Sequence, residues 1–589
     1  MSKIKFFSVA FFTVSAMVQA QDLEQAKKAI DAEQYDKAKS ILKAILKTKP
    51  ADGRAAFLLG NVYLKQSVED SAQFTYNKGL SAAEGGKFNQ IGLGQLDLQS
   101  GNVTAAKAKF DLAVQGMRKK EVEEYVYIAQ AYMNAEKPDY QAALTVLEKA
   151  KLANPNDPYV KLATGDAYYG LKNQNEAYAA YRDAYNTDNT IIRAKMQEGV
   201  LLKGAKAYVE SIKKYDEVIA INPNYGPVYR ELAETYYLWA NNKPATYKEN
   251  IAKALSNYNR YMELTDYSLS SRMRRADFLI LTRDYKALEL EAQEMQKLDN
   301  VNPRILRYLG YAAYENGNTD ESIKALTDYL SKGTRIIGGD YYFLGLAKIK
   351  KAIGADGKTV DQALFTEGLT SLKKGVEQDM NLANGLNEIG KAYFGQKLYG
   401  VAAGIFEAAI MNSSSKNFME DNIYYGLCVH TINRGKDAKT ADLVALSNAD
   451  KAMDNVIAAK PDYPEAYLYK ARINSVMEKD DVMAISYQNY LDSFFKKWEK
   501  ALLEANKAVS ESNFLELYKG TLKDFNNQVY KDELTKEIDK NKSKLTEAYN
   551  NMASFFANTD KIKAKELLNK TLALDPTNTY ATESLKLLK

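Results

Sequence analysis

Residues 59–76 read LGNVYLKQSVEDSAQFTY. Leu59 and small Gly60, an aromatic at Tyr63, small Ala72 and aromatic Tyr76 form a register that returns down most of the chain. The tails of the blocks show it plainly: Ala38, Leu42, Ile45 and Pro50; Ala106, Phe110 and Ala113; Ala143, Leu147, Ala150 and Pro155; Ala177, Tyr181 and Ala184. Offsets of this kind put the apolar residues on one face of a helix. A proline then follows where a residue without an amide donor stops it.

Each block has the physics of a helix hairpin. The first helix carries a Gly or Ala where a second backbone must come close, at Gly60, Gly94, Ala129, Gly165, Gly199, Ala233, Gly310, Gly345, Gly390 and Gly426. A larger side chain there would wedge the pair apart. The second helix presents Ala at one turn and an aromatic or Leu at the next, so that a protrusion meets a hollow on its neighbour. Pro50, Pro155, Pro223, Pro461 and Pro576 close second helices.

These residues resemble the tetratricopeptide repeat, a helix-turn-helix unit of roughly 34 residues with small residues at the helix crossing and a closing proline. Counted this way, about thirteen blocks occupy residues 22–480, and one more, with Ala564, Leu568 and Pro576, occupies 545–578. The resemblance implies an all-α fold, a right-handed α-solenoid of about thirteen to fourteen repeats, with a capping helix from Thr579 to the end. The expected organisation is a leader over 1–20, a tandem array over 21–480, an irregular helical insertion over 481–544, and a terminal repeat with its cap over 545–589. In such an array each unit packs on its neighbours, and stability is a sum of local joints. Truncating Tyr181 or Leu147 to Ala should cost about 3 kcal/mol through the cavity left behind.

Among 589 residues, 80 are basic and 75 acidic, a formal charge of +5, or +3 without Lys3 and Lys5. Lys and Glu alternate along helix faces, as in LEQAKKAIDAEQYDKAK, which reads as solvated surface laced with pairs one turn apart. A nucleic-acid binder would carry a dominant basic face, so no nucleic-acid partner is expected. Met1 to Ala20 has the form of a secretory leader. Lys3 and Lys5 precede the apolar run Phe6 to Val18, and small residues Val18 and Ala20 stand at the cleavage offsets before Gln21. No later segment is apolar enough to span a bilayer. Cys428 is the sole cysteine, which excludes an internal disulfide and a lipidated cysteine behind the leader. The leader and the Tyr- and Lys-rich composition resemble exported Bacteroidota proteins, and the resemblance implies a periplasmic address.

The register is interrupted at 241–250, 352–365 and 433–446, where insertions separate the helices of a block. It is lost over 482–544, a helical stretch in which Phe494, Phe495 and Trp498 read as core. GADGKT at 354–359 lacks the first Gly of a phosphate loop, because position 352 is Ala352, and it lacks the preceding strand. Its DGKTVD reads as a plain turn rather than a calcium loop. His430 is the only histidine, which removes two-histidine zinc sites, and its spacing from Cys428 points the two to different helix faces. A buried Cys428 and a surface His430 are expected. Catalytic residues, metal ligands and cofactors are therefore all read as none, and the chain as no enzyme.

In the family resembled, first helices line the concave surface. The positions three before, one after and four after each crossing residue face the groove. Around Gly165 these are Leu162, Asp166 and Tyr169; around Ala233, Arg230, Glu234 and Tyr237; around Gly310, Arg307, Tyr311 and Tyr314. Arg193, Tyr342 and Asn61 belong to the same lining. Arg and Tyr in a curved groove suit an extended peptide, since rings give contact area and guanidinium groups reach carboxylates or carbonyls. One family variant grips a terminal carboxylate with Lys and Asn a turn apart. Here Asn387 and Lys391 take those offsets in reversed order without a companion Lys and Arg pair, so those family residues do not carry over. The reading is a non-catalytic scaffold for a protein or peptide of the bacterial envelope, its oligomeric state open. Two alternatives stand beside it: a structural subunit of a secretion, motility or outer-membrane assembly, and a binder of cell-wall glycan.

Overall fold

The structure is a computed structural model that describes residues 22–66, 68–333 and 335–588. The leader read over 1–20 lies outside them. Secondary structure among the described residues is helical apart from an isolated bridge between Ile353 and Val360. No helix among them is long and apolar enough to cross a membrane. Hairpin follows hairpin, as in an α-solenoid of tetratricopeptide type. The chain divides into two units, 1–302 and 303–589.

The hairpin of Pro158–Gly170 and Gln174–Thr187 shows how sequence makes the unit. Asp157 caps the first helix by accepting from the amides of Tyr159 and Val160, and Pro158 at its first turn needs no donor. Lys172, at φ 61°, turns the chain in the left-handed region. The second helix then buries Ala177, Tyr181 and Ala184 completely. Tyr181 lies over Gly165, where a β-carbon would come within 2.6 Å of its ring. The same meeting recurs between Gly60 and Tyr76 and between Gly199 and Tyr215. The crossing positions therefore have the reason assigned to them: the aromatic of the second helix fills the space that a side chain on the first would need. Leu147 is buried in the preceding hairpin, among Ala143, Ala150 and Val160.

In the first unit the hairpins run from a helix over 22–31, paired with Tyr35–Thr48, to Leu269–Thr282, paired with Tyr285–Leu298. This unit also makes contacts that no neighbour-to-neighbour scheme contains. Glu33, in the turn of the first hairpin, reaches Arg230, Arg274 and Tyr261. Beside it Gln34 donates to the Leu264 carbonyl, and the Asp36 amide donates to Asp266. Lys27 pairs with Glu123 from the same first hairpin. The first hairpin thus closes onto the seventh.

In the second unit the hairpin of Gly338–Ala352 and Gln362–Gln378 packs backbone on backbone. A β-carbon at Gly345 would lie 2.5 Å from the Leu372 amide nitrogen, and one at Gly375 would lie 2.7 Å from the Gly338 carbonyl. The insertion between these helices is a short turn. The Gly354 amide donates to Thr359, and Asp356 accepts from the amides of Lys358 and Thr359. The Asp356 carboxyl, held at about 2 by the Thr359 hydroxyl and then by those amides, serves the turn. Farther on, Asp480–Lys496 is the second helix of a hairpin begun by Pro464–Val476. Two short helices, Glu499–Glu504 and Glu511–Lys519, lead into the long Gln528–Phe556. Phe494, Phe495 and Trp498 are buried there, with Phe495 stacked on Phe514. The long helix is tied back by Glu547, which receives both Nε and Nη2 of Arg472 at 2.7 Å and the Tyr487 hydroxyl at 2.9 Å. Lys561–Leu574 pairs with it, and Thr579–Leu587 follows with Ala581 buried.

Cys428 is buried, and burial pushes its thiol up to about 12. His430 departs from the expected surface position. It is half-buried, and burial, with Arg472 and Arg434 nearby, takes its imidazole down to about 4.

Candidate functional site

The first unit curves around an open cavity of about 1620 Å³. First helices of successive hairpins supply most of its wall, and the helix over 22–31 supplies Lys27, Lys28 and Asp31. Of the ten side chains expected in a groove, Asp166, Tyr169, Arg193 and Arg230 come together on this cavity, with Asn61 and Leu162 beside them.

Arg193 and Asp166 are held rather than loose. Arg193 Nη1 and Nη2 donate to the two carboxylate oxygens of Asp166 at 3.0 and 2.9 Å, and the Tyr181 hydroxyl donates to Asp166 Oδ1 at 3.0 Å. That last bond has a counterpart three hairpins earlier: Tyr76 donates to Asn61, the residue after Gly60, at 2.7 Å. The crossing tyrosine therefore fixes the groove residue of its own hairpin. In the hairpin at Gly199 the equivalent position is apolar Val200, so the Tyr215 hydroxyl bonds no groove residue and lies beside the Ser211 and Thr235 hydroxyls instead.

Arg230 donates to Glu33 at 2.6 Å and lies over the Tyr261 ring, its guanidinium carbon 5.5 Å from the centroid. Burial raises the Glu33 carboxyl, but Arg230, Arg274 and the Tyr261 hydroxyl outweigh it and hold the group at about 2. Tyr169 is 44% exposed and offers a free ring face to the cavity. Glu234 and Tyr237 take other places. Glu234 accepts from Lys203 at 2.7 Å, together with Glu231, and Tyr237 packs edge-on to Phe278.

In the second unit, the expected set is drawn inward. Arg307 and Tyr311 are buried around Asp340, which is fully buried itself. Arg307 Nε and Nη2 donate to Asp340 at 2.7 and 2.9 Å, the Tyr311 hydroxyl donates to it at 2.9 Å, and Asp340 also accepts from the Ile337 amide. Tyr311 stacks on Phe343, and Tyr314 and Tyr342 pack edge-on to the same ring. Tyr342 is buried as well. The physical reason is Asp340: a carboxylate at the start of the next first helix recruits the arginine and tyrosine that would otherwise face the groove. Asn387 and Lys391 are likewise engaged, Asn387 with Asp421 and Glu420 and Lys391 with Glu420 and Glu388.

Lys65, Asp31, Glu33 and Tyr225 are among the cavity residues that offsets from the crossing residue miss. Lys65 stands five positions after Gly60, at the end of its helix, and Asp31, Glu33 and Tyr225 lie in or beside turns. Only the closure of the first hairpin onto the seventh brings the last three to the cavity, and no local pattern announces it.

The sequence model of the tetratricopeptide repeat family matches residues 23–74, the first two hairpins. Those residues carry the repeat that the model describes, and the hairpins that follow are built on the same helix-turn-helix plan. No curated protein matches it. Similar solved structures include the C-terminal part of a repeat-containing protein from Cytophaga hutchinsonii, at 20% identity over 53% of this chain and 98% of that one, TM-score 0.27. A tetratricopeptide repeat protein from Parabacteroides merdae is 14% identical over 56% of this chain and 98% of its own, TM-score 0.26. The Cut9 and Hcn1 hetero-tetramer is 13% identical over 96% and 95%, TM-score 0.29.

Proposed function

We propose that this chain is a non-catalytic scaffold of the bacterial cell envelope that binds a protein or peptide in the cavity of its first unit. Tetratricopeptide repeats support a protein-interaction role, and a concave cavity lined by tyrosine and arginine supports binding there. The single observation that carries the reading is the convergence of Asp166, Tyr169, Arg193 and Arg230 on one open cavity. Arg193 and Arg230 are fixed by carboxylates, so little side-chain entropy is lost when a partner arrives. The periplasmic address rests on the leader over 1–20, which has Lys3 and Lys5 ahead of an apolar run.

The test is affinity capture from envelope extract with the full chain and with Tyr169→Ala. Tyr169 is largely solvent-facing, so the variant should keep the parent melting temperature and lose most of the captured partner. Capture that survives Tyr169→Ala but is abolished by deleting 433–446 would move the contact to the inserted loop and favour the structural-subunit reading. Fractionation that returns the chain in the cytosol would remove the envelope assignment.

A further inference from the structure

The seam where the first unit closes is chemically unlike its joints. At the joint with the second hairpin, Ala26, Ala29, Ala38, Leu42 and Ile45 share one buried apolar cluster with Phe57 and Leu58. Toward the seventh hairpin, Ala32 is the one described residue of the first that joins the separate cluster of Tyr225, Val228 and Leu232. The rest of the seam is polar. Glu33 takes Arg230, Arg274 and Tyr261, Gln34 donates to the Leu264 carbonyl, the Asp36 amide donates to Asp266, and the Tyr225 hydroxyl is set against Asp31. Water competes for contacts of this kind and not for buried apolar surface, so the unit parts at the seam before it parts at a joint.

Parting leaves two complementary ends on one chain. The first hairpin offers Asp31 and Glu33, and its receptor offers Arg230 and Arg274 with the Tyr225 and Tyr261 hydroxyls. Glu33 is the carboxylate that both guanidinium groups share, and Arg230 and Arg274 act on each other as like charges. With Glu33 withdrawn they repel, and a carboxylate is attracted to the same place. A second copy carries that carboxylate on a hairpin of the right shape, because the fit it needs is the seam already present within one chain.

We propose that this seam is also a surface for self-association: in a pair of opened copies, the first hairpin of each closes onto Gly226–Asn242, Tyr247–Leu264 and Leu269–Thr282 of the other. The exchange is reciprocal, so the pair is two-fold and leaves no free end, whereas a head-to-tail chain of copies would. Lys27, Lys28, Asp31 and Glu33 line the cavity, so in the exchanged pair each cavity is walled by both copies. Association of this kind does not depend on what the cavity binds.

The experiment exchanges charge between two full-length chains with different affinity tags, one carrying Glu33→Arg and the other Arg230→Glu with Arg274→Glu. Within either chain the seam sets like charges against each other. Between the two chains both seams are complementary, one in the reversed order and one in the parent order. The chains are co-expressed, so that one that needs its complement in order to fold has it. They should be recovered together by tandem affinity purification, one to one and at twice the mass of a single chain by light scattering. Either chain co-expressed with a differently tagged copy of itself should give about ten-fold less recovery. A chain with all three substitutions should close on itself and run as a monomer. Two differently tagged parent chains should co-purify above the like-charge controls. Failure of the complementary chains to co-purify, or equal recovery of the like-charge pairs, would overturn the exchange. Parent recovery no higher than those controls would confine it to the variants and overturn it for this protein. Unfolding of the chain with all three substitutions would overturn the charge pairing of the seam, and the exchange with it.

Discussion

Glu33 and Arg230, 197 positions apart, meet at 2.6 Å between Oε1 and Nη1. The carboxylate also takes the Tyr261 hydroxyl and the Arg274 guanidinium, and its side chain is only 16% exposed. A solenoid held mostly by neighbour contacts has here an interaction that spans seven hairpins.

Removing one member of such a cluster leaves the others buried and unpaired. Glu33→Ala should cost about 3 kcal/mol. The loss should be local: hydrogen exchange should lose protection over 22–48 while the hairpins from Gly86 to Thr187 keep theirs. The sign with pH follows from the folded value of about 2 against the ordinary 4.5. The stabilisation is complete above about 4.5 and is lost as pH falls towards 2, so acid should open this closure in the parent and change little in the variant.

The crossing tyrosines separate into two kinds. Tyr181→Phe removes a hydroxyl that donates to Asp166 and should destabilise by about 1 kcal/mol. Tyr215→Phe removes a buried hydroxyl that meets only the Ser211 and Thr235 hydroxyls and no carboxylate, and should cost less. Chemical denaturation of the two variants side by side checks the contrast; equal losses would contradict it.

The cluster at Asp340 should behave as one unit. Asp340→Asn strands the buried Arg307 guanidinium and should cost about 3–5 kcal/mol, and Arg307→Met should cost about as much by stranding Asp340. The double variant should recover a substantial part of the loss, which a double-mutant cycle measures directly. Simple additivity would show that the two residues act apart.

Two groups of the second unit should shape its stability between about pH 4 and 6.5. His430, with a folded value of about 4 against the ordinary 6.5, contributes stability that is complete above about 6.5 and is lost as pH falls through 4. Asp421 sits at about 6 against 3.8, raised by burial against the pull of Asn387, so its contribution is complete below 3.8 and is lost as pH rises through 6. His430→Gln isolates the first. Relative to the parent it should gain about 1–3 kcal/mol between pH 7.5 and 4.5, read from Trp498 fluorescence during urea unfolding in a Trp239→Phe background.

Much of the hairpin architecture is legible in the residues themselves, because each joint is local: Gly60 under Tyr76 and Gly165 under Tyr181 are written at fixed spacing. Part of the wall was legible by the same means, since Asp166, Tyr169 and Arg230 follow from the crossing positions. The rest depends on distant residues. Arg307 and Tyr311 turn inward because Asp340, about thirty residues later, draws them, and the offsets carry no sign of it. Glu33 reaches Arg230 only through the accumulated rotation of six joints, which no single block encodes.

That end-to-end registry fixes the copy number of this half of the chain. Elsewhere in an open array a whole hairpin can be duplicated or lost, because every joint resembles the next. Between Glu33 and Arg230, excision of residues 158–191 would leave each remaining joint well formed and still carry the carboxylate away from its arginines. Loop lengths in the first unit are free to drift across evolution, but its number of hairpins is not.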